Sequence, residues 1–291
     1  MDLNQLLLLI MNLSTLVFVV TSMLAMGLSL TVAQIMAPLR NTRLVLLALL
    51  ANFVLVPLMA YLISLVIPLS DGLRVGLILA ATAAGAPFLP KLAGIARGNT
   101  AFSVGLMVLL MVVTVLYMPI VLPLLIQGVT VEPWDIARSL IILMLIPLAA
   151  GLVIKMRYVE IAAWLQPYMA QASTFAVALL LVVGLLANLN GMLAMVGTGG
   201  FIASLLFLVG AFVIGYFLGG KDAQTRSVLG LGTAQRNLAA ALVVATANFA
   251  DDPDVIMMLL ALGLLGLVVL MISAGELGRR SKASVGDLSQ E

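Results

Sequence analysis

Apolar stretches of about twenty residues, long enough at 1.5 Å per residue to cross a bilayer as helix, recur along nearly the whole chain. Nothing else constrains the fold as strongly, because a segment in lipid must satisfy its own backbone polar groups and does so as a helix. Breaking the hydropathy at charged or Gly/Pro-rich segments gives nine spans, near 8–35, 43–67, 73–96, 101–127, 136–155, 162–188, 200–219, 226–249 and 255–276. The expectation is an all-α polytopic membrane protein, with a transmembrane domain over 1–277 and a polar, disordered cytoplasmic tail over 278–291. With 64% hydrophobic and 9% charged residues, the composition lies far outside that of soluble domains.

The same composition excludes several chemistries. There is no cysteine and no histidine, so thiolate or imidazole metal sites, Cys nucleophiles and the usual proton shuttle are absent. No paired intramembrane carboxylate, phosphate loop or Ser/His/Asp set offers an enzyme mechanism, so no enzyme activity and no bound cofactor are expected. A net charge of +2, with the bases spread between loops, gives no nucleic-acid partner. The N-terminal run lacks the basic start of a secretory signal and reads as a retained first helix.

Orientation follows from the bases, which stay on the cytoplasmic side. Arg40 with Arg43, Arg97, Lys155 with Arg157, Lys221 with Arg226, and Arg279, Arg280 and Lys282 mark alternate loops. The other loops carry Arg74 and Arg138 but mostly acids: Asp71, Glu132, Asp135, Asp251, Asp252 and Asp254. The N-terminus is therefore expected outside and the C-terminus inside. Asp252 and Pro253 read as the cap and first position of the last helix.

Two spans are unusual. The third contains Pro87 and Pro90 among small residues halfway across, and proline in a helix interior removes a backbone bond. The eighth has Gly230, Gly232 and Thr233 just before Arg236. These prolines and glycines are the expected hinges of two interrupted helices. The two spans are five crossings apart, so they enter the bilayer in opposite directions, the pattern of an inverted repeat whose broken helices meet at the midplane of a secondary transporter.

Arg236 lies near the centre of its span, where an arginine costs roughly 2.5–3.5 kcal/mol on insertion scales and needs a cavity or a partner. One reading makes it the ligand of an anionic substrate; the other has its donors absorbed by carbonyls of a broken helix. Lys91, just past the first break, is a second intramembrane base, unless it snorkels toward Arg97. No carboxylate lies deep in any span to balance them. Gln235, Asn237 and Asn52 are candidates to orient a substrate beside Arg236, and Ser103 and Thr114 add polar groups in the fourth span. The many methionines read as packing residues.

The segments ANFVLVP, ARGNTAFSVGLMVLL and QRNLAAAL, in that order, resemble the bile acid:sodium symporter family, and the resemblance runs over nearly the whole hydrophobic chain. It implies two inverted repeats of five helices, divided into a panel and a core domain with two crossing discontinuous helices. This chain would lack the first helix, as nine-helix bacterial inner-membrane members do. The sodium ligands that the resemblance implies carry over poorly. The first-site serine and asparagine fall on Pro90 and Lys91, and the next helix keeps Ser103 but has Met107. The shared glutamate falls on Gly230, a glutamine falls on Ala234 or Gln235, and another on Asn52.

These readings together give the expected function: alternating-access transport of a small organic anion, sodium-independent or proton-linked. Arg236, Asn237, Gln235 and Asn52 would bind substrate, and Lys91 and Ser103 would serve ion or proton coupling, Lys91 replacing one sodium. The alternatives are sodium-coupled symport of a bile-acid-like anion and a non-transporting membrane sensor or scaffold.

Overall fold

The computed structural model describes residues 3–36, 40–126, 133–187, 195 and 197–288, all of whose regular elements are helical. Helix α1 (Leu3–Ser29) leads through the short α2 (Val32–Met36) to α3 (Thr42–Val66). The third span is divided into α4 (Asp71–Thr82) and α5 (Leu89–Ile95). Next come α6 (Thr100–Leu125), α7 (Pro133–Arg157), α8 (Val159–Ala187) and α9 (Gly200–Leu218). The eighth span is divided into α10 (Ala223–Ala234) and α11 (Leu238–Asn248), and α12 (Pro253–Leu288) closes the chain.

Among the described residues, eight segments are long and apolar enough to cross a membrane, with α10 and α11 taken as one. The expected third span is not among them, because its break leaves neither half long enough. Two further boundaries are corrected. The first span ends at Ser29 and α2 is a separate turn. The tail drawn from Gly278 is helical as far as Leu288, and Glu276 accepts from Arg279 and Arg280 at helical spacing, which supports this continuation. Glu132, Gln127 and residues 289–291 lie outside the described residues.

Sequence explains the local starts. Asn41, Ser70, Asn99 and Asp222 each accept a backbone N–H three residues on and so cap α3, α4, α6 and α10. The Thr225 hydroxyl and backbone hold the Asp222 carboxyl below its usual range. Pro253 opens α12 and Asp252 Oδ1 accepts from Asp254 N at 3.0 Å, as the sequence suggested.

Packing separates by side-chain size. Helix α1 lies along α7 and α8. There Gly27 and Gly151 face each other so closely that a Cβ on Gly151 would come 2.9 Å from Gly27 Cα. The remaining helices gather around α10 and α11, the least exposed of the candidate spans, 89% buried against 56% or less for the others. Large apolar side chains face outward, as Leu116, Ile120 and Leu124 do in one stripe of α6. Such a surface belongs in lipid, and the protein is an integral membrane protein.

Candidate functional site

A helix that ends inside a membrane leaves its last carbonyls without partners and with partial negative charge. This chain ends two helices in that way, at Thr82 and at Ala234, and brings the ends together. Between Thr82 and Leu89 the backbone is non-helical; Pro87 lies in the turn and Pro90 in the first turn of α5. The second break falls on Gln235, Arg236 and Asn237. Gly230 and Gly232, expected as hinges, are instead helical. They allow close packing, for a Cβ would come 3.1 Å from Tyr216 Cβ at Gly230 and 2.8 Å from Leu89 Cδ2 at Gly232.

Arg236 satisfies both ends at once. Its Nε donates to the Ala80 carbonyl at 3.0 Å and its Nη2 to the Ala81 carbonyl at 2.6 Å, both in the last turn of α4. Its Nη1 donates to the Thr233 carbonyl, in the last turn of α10, and to Asn52 Oδ1, each at 2.9 Å. Four of the five guanidinium N–H groups are thereby used, and the residue is 5% exposed. Of the two readings of Arg236, the geometry matches the one in which carbonyls absorb its donors.

The neighbouring groups hold this arrangement. Asn237 N donates to Ala83 O at 2.9 Å, and Asn237 Nδ2 donates to Gly85 O at 3.1 Å. Its Oδ1 accepts from Ala240 N and caps α11. Thr114 Oγ1 accepts from Ala84 N at 2.9 Å and donates to Ala84 O at 3.1 Å, replacing helical partners that the break removed. Asn52 sits on a π-helical turn, Ala51–Leu55, and its Nδ2 donates to Ala48 O and to Thr233 Oγ1. Pro57 has no N–H for the Phe53 carbonyl four residues back, which accepts from the Tyr117 hydroxyl at 2.6 Å. Replacing Thr114 with valine leaves both Ala84 groups unpaired in nearly the same volume. The expected cost is about 2 kcal/mol, read as a lower melting temperature of detergent-purified protein.

Beside the crossover lies a cavity of about 760 Å³. Its walls are the Phe18–Ser29 part of α1 with Leu30 just beyond it, Gln166–Val177 of α8, Val104 and Met107 of α6, and Leu262–Leu270 of α12; its floor is the two breaks. These positions lie in the middle of their helices or toward the ends marked by Arg40, Arg97 and Arg157. Among the described residues, no carboxylate lines the cavity, and its charged residues are Lys91 and Arg236. The Lys91 side chain is exposed there, its ammonium 5.3 Å from the Phe88 ring centre.

The expected site residues thus separate. Lys91, Gln235, Arg236 and Asn237 all line the cavity, but the hydrogen-bonding groups of Arg236 and Asn237 are largely engaged inside the crossover, where Asn52 lies away from the cavity. Ser103 is buried in the first turn of α6, its hydroxyl on Thr100 O. Sequence reading had not picked out Gly85, Tyr117 or Ser22 for the site. A glycine between Ala84 and Ala86, just before Pro87, was the available signal for Gly85; nothing marked Ser22, whose Oγ is buried without a hydrogen-bond partner, as is Gln235 Oε1.

An all-helical membrane protein with helix ends buried against a cavity is the class that fold and site define. The chain belongs to the Sodium Bile acid symporter family, which matches residues 16–196. This is a family of transporters. Over 241 residues the chain is 26% identical to the probable sodium/metabolite cotransporter BASS1, chloroplastic, of Arabidopsis thaliana, covering 81% of this chain and 60% of that protein. It is also 26% identical over 250 residues to the uncharacterized sodium-dependent transporter YocS of Bacillus subtilis (strain 168), covering 80% of this chain and 74% of the relative. The match therefore spans less than two thirds of the length of the chloroplastic relative.

Proposed function

We propose that this chain is a secondary transporter that carries a small organic anion by alternating access, independently of sodium, with the cavity as its substrate site. The observation that carries the reading is the charge of that cavity: among the described residues, an ammonium at Lys91 with no carboxylate beside it, and mostly apolar walls. An ammonium in such surroundings favours an anion, and the walls favour a carbon skeleton. Helix α11 also begins at the cavity floor, adding the partial positive charge of a helix N-terminus. The unpaired oxygens of Ser22 and Gln235, on residues that line the cavity, are groups a rearrangement around substrate would satisfy.

In the layout we propose, nine crossings form two inverted repeats. The panel contains α1, α7 and α8, and the core contains the two broken helices. The cavity would face the cytoplasm, where the basic loops lie, with the N-terminus outside. Movement of core against panel would expose it to the other side.

The test is uptake of radiolabelled monocarboxylates and alkyl sulfonates into proteoliposomes. Lys91→Met is expected to lower uptake about tenfold or more, the loss of one charge-assisted pair, without a change in melting temperature. Undiminished uptake by that variant would remove Lys91 from the site. The second reading, sodium-coupled symport, is favoured by the sodium in the descriptions of both relatives. Replacing external sodium with choline separates the two: uptake should persist, and its loss would establish the second reading.

A further inference from the structure

We propose that the oxygens around the Arg236 guanidinium form a monovalent-cation site that the chain fills with its own side chain. Removing the side chain should open that site to a free cation. The inference rests on the crossover geometry and goes beyond the transport reading, which could fail without it.

Four oxygens converge on the group: the carbonyls of Ala80, Ala81 and Thr233, and Asn52 Oδ1. They come from three separate helices, α4, α10 and α3, so their convergence is tertiary and is more than one helix terminus. The three carbonyls lie at the partially negative ends of two half-helices. The fourth oxygen is aimed by its own amide, since Asn52 Nδ2 is held by Ala48 O and Thr233 Oγ1. Ala80, Ala81, Asn52 and Thr233 are fully buried, so the four oxygens sit in surroundings of low dielectric.

Carbonyl oxygens held at fixed positions can replace the hydration shell of an alkali ion. A cage without a carboxylate suits a single positive charge, because dehydrating a divalent ion needs formal negative charge in return. The guanidinium is such a single charge, brought by the chain. A free sodium ion does not fit while the side chain is present: each of these oxygens already accepts an N–H, and Arg236 itself carries the charge. The cage therefore explains within one site how a member of a family described by sodium could hold its crossover together without the ion.

The experiment is thermal unfolding of detergent-purified wild type, Arg236→Ala and Arg236→Gln at constant ionic strength. Choline chloride is replaced stepwise by sodium or potassium chloride, or by low-millimolar guanidinium chloride. The wild type should melt at one temperature in all four salts. Both variants should melt lower in choline and rise by several degrees, saturably, with guanidinium or an alkali cation. Arg236→Gln, which keeps an amide donor for part of the cage, decides the matter if the alanine variant does not fold. Equal melting of both variants in every salt would overturn the proposal. So would a sodium rise in wild type as large as in the variants, or failure of both variants to fold with guanidinium present throughout purification. Sodium-dependent uptake by wild type would instead overturn the transport reading alone, provided the melting results hold.

Discussion

Arg236→Ala is expected to destabilise the protein by about 3–5 kcal/mol in a buffer whose only cation is choline. Each buried oxygen left without a donor costs roughly 1–3 kcal/mol; all four lose one together, although Ala80 O still accepts from Ala83 N at 3.2 Å. The sum is not additive, since Asn52 can turn its amide and a water can enter, which brings the estimate below four full penalties. Two half-helix ends would also face each other with nothing positive between them. Arg236→Lys should fall between the two, because an ammonium keeps the charge but cannot present a planar fork to oxygens on two sides. Melting temperature in detergent, or hydrogen exchange at the Ala80–Ala84 and Thr233–Asn237 amides, reads the effect. A loss under about 1 kcal/mol for the alanine variant would mean that the arginine is not what joins the two breaks.

The second large effect is expected at Gly85. Its φ of +81° is a conformation that side chains disfavour, and a Cβ there would lie 2.2 Å from Met111 N and 2.6 Å from Met107 O. Both are backbone atoms of α6, so the clash cannot be relieved by turning a flexible side chain. Gly85→Ala would force α6 away from the break, straining the Thr114 bonds to Ala84 and the Asn237 bond to Gly85 O. The expected cost is about 3 kcal/mol or more, seen as aggregation or a large drop in melting temperature. Gly94→Ala is the control. It lies in α5 with nothing within 4 Å of a new Cβ, and should be neutral or stabilising by up to about 1 kcal/mol. Equal behaviour of the two variants would show that Gly85 is not the point of close approach.

Much of the fold was legible because membrane solvation acts on composition. Runs of apolar residues must be helices, Pro87 and Pro90 among small residues mark a break in one of them although Pro119, Pro123 and Pro167 break none, and a deep Arg236 must find partners. The second break was legible as a region but not to the residue. Gly230 and Gly232 suggested it, yet a helix tolerates glycine where neighbours press close, and the chain unwinds at Gln235 because Asn237 caps the helix that follows. The last helix runs past Gly278, a point at which polar composition suggested disorder, while Glu276 and the two arginines favour helix locally.

Hydropathy, proline and buried charge are local properties with large energies, so a polytopic helical membrane protein with two broken spans, each carrying a base, can be read from the residues alone. The surroundings of the two bases, by contrast, depend on which helix ends meet in space. Lys91 and Arg236 both read as intramembrane bases, Lys91 being the one able to snorkel, but the carbonyls that could partner either of them belong to every residue and carry no sequence signal. The ends of α4 and α10 meet at Arg236, so four of its five N–H groups are used there, while Lys91 faces the cavity with its ammonium near the Phe88 ring.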